Sequence, residues 1–148
     1  MNIDFIDRAK AIDFSTLKLD DAAVLEWSVE ESEIDDFARL SGDRNPLHMS
    51  HDFARTKGFE GRVAHGFLLG SKVSALVGML LPGQDCLILE QGISYPKPIY
   101  PGDTIMIEGS ISELSTEHRI LKVKIRASRV TENSRAIVAR GFVLCRSQ

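Results

Sequence analysis

Residues 41–48 read Ser-Gly-Asp-Arg-Asn-Pro-Leu-His. Asp43 and His48 lie five positions apart, a carboxylate and an imidazole on one short segment. Between them Asn45-Pro46 stiffens the backbone, which reduces the entropy lost in holding both side chains. Such a pair can take a proton from a water molecule and return it to a neighbouring atom. The same residues also suit a plain loop, in which Asp43 or Asn45 closes an Asx turn and His48 is incidental.

A second chemical motif follows at 62–74, Arg-Val-Ala-His-Gly-Phe-Leu-Leu-Gly-Ser-Lys-Val-Ser. Gly66 opens an apolar helical run. The first amides of a helix have no internal acceptor, and the helix dipole places positive charge there. Glycine lets a ligand oxygen come close, so Gly66 is either an oxyanion site or a tight helix entry. His65 is expected to pack or cap. Ser74, about two turns further on, either orients a catalytic side chain or bonds back to the helix. His48, His51, His65 and His118 lack zinc-ligand spacing, so no metal is expected. There is no Gly-x-Ser-x-Gly elbow, P-loop or dinucleotide fingerprint, and no cofactor is implied.

The elements that must position these residues read as follows. Ile3, Phe5, Ile6, Ala9 and Ile12 give the stretch to about Lys18 a loosely helical pattern, and 22–30 reads as a strand. Acids at Glu30–Asp36, the stripe Ile34, Phe37, Ala38, Leu40 and the stop Gly42 predict a helix that ends where the Asp43 segment begins. Ser50 caps a second short helix closed by Gly58. A third runs from His65-Gly66 to Leu80 or Leu81. It is apolar nearly all round, the mark of a buried helix. From 87 onward four β-branched, alternating stretches predict antiparallel strands, the first demoted to an edge or bend by Pro96, Pro98 and Pro101. Helices followed by strands argue an α+β fold, one buried helix with a sheet curled around it.

The chain has 148 residues, 43% hydrophobic and 26% charged, the make-up of one globular domain. Its net charge of −3 comes without a basic block, which argues against a nucleic-acid partner. Cys86 and Cys145 sit in apolar runs without metal spacing and are expected as free thiols in a reducing cytoplasm. The first residues do not resemble a signal peptide, and no run is long and apolar enough to suggest a membrane partner.

Phe37–His48, FARLSGDRNPLH, resembles the hydratase 2 signature of the MaoC-like (R)-specific enoyl-CoA hydratases. VAHGFLLGSKVSALVG and ISYPKPIYPGDTI are similar to the same family, and the resemblance runs from about Glu30 to the C-terminus. It implies a single hot-dog domain over 1–148, with 1–20 as an extension outside the family pattern. It further implies a homodimer or higher homo-oligomer, and hydration of trans-2-enoyl-CoA or the reverse dehydration. Asp43 and His48 would be the catalytic pair, Gly66 the oxyanion donor, and Asn45 and Ser74 supporting residues. Leu69 and Val73 would line the acyl tunnel with Leu76 or Val77. Arg62, Lys97, Arg126 and Arg140 would be candidates for a basic rim facing coenzyme A. An acyl carrier protein substrate, a thioesterase on the same fold, and a non-catalytic thioester-binding protein are the alternatives.

Overall fold

The computed structural model describes residues 7–148. Of the residues behind the expected first helix, Ile3, Phe5 and Ile6 lie outside that range. Within it, Ala9 and Ile12 are not helical, and only a 3₁₀ turn, Phe14–Thr16, forms. Asp13 caps that turn by accepting from the Ser15 amide. Phe14 and Leu17 are buried, so core burial at two points holds this stretch where a helix was expected.

The first strand, β1, is Ala22–Ser28. Helix α1 spans Glu31–Ser41. It begins at a capping box, in which Glu30 and Glu33 each accept from the other's end of the first turn. It ends at Gly42, whose φ of 80° is the left-handed conformation that glycine adopts without a Cβ penalty. Two short helices follow, α2 (Pro46–Met49) and α3 (His51–Thr56), the latter capped by Ser50 as expected. The long helix α4 spans Gly66–Met79. Four strands complete the chain: β2 (Cys86–Ser94), β3 (Thr104–Ser115), β4 (Ile120–Val130) and β5 (Arg135–Ser147).

The five strands form one antiparallel sheet in the order β1-β3-β4-β5-β2. Strand β2 stops at Ser94, just before the prolines, because proline has no N–H to give the ladder. Helix α4 lies against β1, β2 and β3. Leu68, Leu69, Val73, Leu76 and Val77 enter one core with the inward residues of the sheet. Phe67 departs from the expectation of a fully buried helix: it is 80% exposed. Cys86 and Cys145 are free thiols, and the hydrogen bond with Cys86, together with burial, pushes the Cys145 thiol up.

Two glycines set how closely the layers approach. A Cβ on Gly109 of β3 would come within 2.7 Å of Leu76 Cδ2, so this glycine seats the helix on the sheet. A Cβ on Gly141 of β5 would stand 2.0 Å from the Gly92 carbonyl oxygen in the neighbouring strand. Backbone cannot swing aside as a side chain can. Gly141→Ala is therefore expected to destabilise the fold by about 1–3 kcal/mol, as overpacked cores do, and urea denaturation will show it. An unchanged midpoint would mean that β2 is free to move.

Candidate active site

The Asp43 segment is built by consecutive side-chain-to-backbone bonds. The Asp43 amide donates to Ser41 Oγ at 3.1 Å, Asp43 Oδ1 accepts from the Asn45 amide at 3.2 Å, and Asn45 Oδ1 accepts from the Leu47 amide at 3.0 Å. Asn45 is thus the N-cap of α2, with Pro46 in its first turn. The Asx turns expected of a plain loop are present, and they are what places the pair. His48 lies inside α2, where a helical turn replaces the expected bend.

His48 Nδ1 lies 2.6 Å from the Val63 carbonyl oxygen. A carbonyl only accepts, so Nδ1 carries the hydrogen and, in the neutral ring, Nε2 presents a lone pair. That nitrogen is 3.8 Å from Asp43 Oδ2. The gap is too long for a direct hydrogen bond, yet one water oxygen at about 2.8 Å from each atom would bridge it. The His48 side chain is 15% exposed and that of Asp43 53%.

Beside the pair is a pocket of about 440 Å³. His48, His65, Gly66, Leu69, Tyr95 and Ile99 are among the residues that line it. The Gly66 amide, first in α4, has no acceptor among the described residues. Tyr95 leans over this helix start, and its hydroxyl donates to the Gly66 carbonyl at 3.0 Å. Burial pushes the Tyr95 phenol up, which keeps it a donor. A Cβ on Gly66 would stand 3.0 Å from the Tyr95 ring, so glycine is what lets the two approach.

His65 is 3% exposed. Its Nε2 lies 2.9 Å from the Asp43 carbonyl oxygen, and its ring stacks on that of His48 with centroids 3.9 Å apart. Burial lowers its pKa, against the raising effect of the Asp43 carbonyl. Spacing along the chain gave no hint of this grouping. One potential ligand atom from each of Asp43, His48 and His65 lies within 4.8 Å of the other two. One nitrogen of each ring is already engaged by a backbone carbonyl oxygen, His48 Nδ1 by Val63 and His65 Nε2 by Asp43.

Other expected site residues lie elsewhere. Arg62 is buried, not on a basic rim: its guanidinium pairs with Asp35 and Glu31, and its Nε donates to the His48 carbonyl. It braces α2 from behind. Val73 is in the closed core, and Ser74 is exposed on α4, away from the pocket lining. Arg126 and Arg140 are cross-strand neighbours on the exposed side of β4 and β5. Lys97 does line the pocket. Residues passed over in the sequence also matter. Tyr95 falls in the strand that ends in prolines and in the family-like stretch ISYPKPIYPGDTI, neither of which assigns its side chain a role. Arg129 holds the pocket wall, donating to the Pro98 carbonyl and pairing with Asp103.

Known proteins share this arrangement of elements. The family model described as "MaoC like domain" matches residues 14–134. An (R)-specific enoyl-CoA hydratase of Rhodospirillum rubrum is 34% identical over 108 residues, covering 73% of this chain and 75% of the relative. A 3-hydroxybutyryl-CoA dehydratase of Methylorubrum extorquens is 32% identical over 106 residues, covering 72% of this chain and 68% of its own length. The solved (R)-hydratase from A. caviae involved in PHA biosynthesis superposes with a TM-score of 0.83 at 31% identity, covering 90% of this chain and 98% of that one. With the Asp-x-Asn-Pro-Leu-His segment on a helix end beside the start of a long buried helix, and a family match over most of its length, the chain belongs to the MaoC-like family and has its hot-dog fold.

Proposed function

We propose that the protein is an (R)-specific enoyl-CoA hydratase, adding water to a trans-2-enoyl thioester and catalysing the reverse dehydration. The observation that carries the reading is the facing of His48 Nε2 and Asp43 Oδ2 at 3.8 Å beside a pocket lined by His48 and by Gly66, the first residue of α4. One water bridges the pair. His48 Nε2 takes its proton as the oxygen bonds to Cβ of the substrate. The alkene electrons move onto the thioester oxygen, where the Gly66 N–H stabilises the enolate; one such donor is worth about 3 kcal/mol. That proton passes from His48 to Asp43, which delivers it to Cα on the same face, and the sum is one water added. Both proton carriers exchange roles in the reverse direction.

Asn45 supports the reading as the cap that aims α2. Leu69 is the acyl-facing residue of α4. Lys97 is the cation at the pocket available to a phosphorylated carrier, whether coenzyme A or the phosphopantetheine of an acyl carrier protein. We read the chain as a single domain and as a homodimer. Strand β2 has a free edge among the described residues, with Leu87 and Leu89 exposed on it. Sedimentation velocity giving a monomer would remove the dimer. No helix among the described residues is long and apolar enough to cross a membrane. The two free thiols fit a reducing compartment, and we assign the cytoplasm.

The test is the absorbance of the enoyl thioester in crotonyl-CoA, with product configuration read by an (R)-specific coupling enzyme. Loss of the band, an (R) product and no free thiol are expected. Release of free thiol would make the protein a thioesterase. Binding without turnover across short and long enoyl thioesters would make it a binding protein.

A further inference from the structure

We propose that His65 is a positioning residue for the proton pair, one ring that fixes the backbone of Asp43 and the ring plane of His48 together. The inference rests on the hydratase reading above. His65 lies between two helices: Phe37 of α1 is tilted against one side at 5.0 Å, and His48 of α2 is stacked on the ring at 3.9 Å with 26° between planes. Its Nε2 must be the donor to Asp43, since that partner is a carbonyl oxygen. The hydrogen bond holds the Asp43 peptide, and the stack blocks rotation of the His48 ring, whose Nδ1 is already held by Val63. His65 also immediately precedes Gly66 as the N-cap position of α4. Through one residue, the acid, the base and the oxyanion amide share a common reference.

The chemistry of the remaining nitrogen argues against a packing role. With Nε2 protonated, Nδ1 is an acceptor, and it is buried with no partner. A leucine or phenylalanine would fill the space without burying an unpaired nitrogen, and such orphans call for a functional explanation. A second proton on Nδ1 would find no acceptor there. Burial and the neighbouring His48 both disfavour the cation. The ring therefore stays neutral and adds no charge to the proton pair it holds.

Three substitutions separate the two contacts. His65→Phe keeps a stacking ring and removes the hydrogen bond. His65→Gln keeps a donor near the position of Nε2 and removes the ring. His65→Ala removes both. With crotonyl-CoA, the first two are expected to lower kcat by about 10-fold each and the third by about 100-fold, the scale of a misplaced reacting group. KM should stay within about twofold. The deciding readout is a double-mutant cycle. In an Asp43→Asn background, His65→Phe should lower kcat by less than about twofold, because residues that act as a unit are not additive. Equal fractional losses in both backgrounds would overturn the proposal. So would near wild-type kcat in folded His65→Phe and His65→Gln, or a rise in KM at constant kcat. If His65→Ala does not fold, the bulkier Phe and Gln variants decide. A wild-type enzyme inactive on every enoyl thioester would refute the hydratase reading itself, before any variant is compared.

Discussion

Asp43→Asn is expected to fold normally and to lose at least about 100-fold in kcat, about 2.7 kcal/mol of transition-state stabilisation. Asparagine has nearly the same shape. Its side-chain oxygen can still accept from the Asn45 amide, the bond that shapes the segment. The Asp43 side chain is half exposed and carries no core packing, so stability should change by less than about 0.5 kcal/mol. What the substitution removes is a group able to give up and regain a proton 3.8 Å from His48 Nε2. KM should hold, since the pocket walls are untouched. Steady-state kinetics with crotonyl-CoA, with circular dichroism as the control for folding, give the answer. Turnover within about fivefold of wild type would remove Asp43 from the chemistry, given the usual size of acid–base contributions.

Glu33→Leu is expected to destabilise the protein by about 2–4 kcal/mol, near the loss found when one partner of a buried ion pair is removed. Glu33 gathers three donors. Its Oε2 accepts from Trp27 Nε1 at 2.7 Å and from the Glu30 amide at 3.2 Å, and its Oε1 pairs with Lys72 of α4. The Lys72 side chain is 15% exposed and lies over the Trp27 ring. Without the carboxylate, a mostly buried ammonium and an indole N–H lose their partner. The pH dependence has a definite sign. Burial alone would raise the Glu33 carboxyl, but the hydrogen bonds from Lys72 and Trp27 outweigh it and hold the group below its ordinary value of 4.5. Its contribution is therefore complete above that value and is lost as pH falls through the lowered folded-state pKa. Urea midpoints should fall less steeply below pH 4.5 in Glu33→Gln than in the wild type. Identical slopes would show that the carboxylate does not couple to folding.

The parts of this protein that were legible in sequence are those set by local physics. Gly42 ends α1, Ser50 caps α3, and alternation marks β3, β4 and β5, because each depends on residues within a few positions. Residues 41–48 announced a paired carboxylate and imidazole for the same reason, and the fold sets the two 3.8 Å apart. Contacts between distant segments stayed hidden. Arg62 was read as a surface cation, but burial against α2 turned its charge to Asp35, 27 residues away. Glu33 was read as one acid among several in a first turn, although its three donors come from β1, α4 and the residue before α1. His65 was given a packing or capping role; only the folded chain brings its ring onto that of His48. Ala9 and Ile12 are half-buried without forming a helix, and Ile12 packs against the core from irregular chain, so periodicity misled there.

The pocket draws on two separate pieces of chain. Asp43, His48, His65 and Gly66 come from one piece, while Tyr95 to Ile99, secured by Arg129, supply further lining. Among the described residues the two pieces are tied by the Ala64 amide on the Ile99 carbonyl at 2.8 Å, and Tyr95 on the Gly66 carbonyl is the one wall side chain hydrogen-bonded to the first piece. Selection can therefore reshape the wall for longer, shorter or branched acyl groups while the reacting groups stay in place. A lineage carrying this scaffold is free to change what it eats without relearning how to add water.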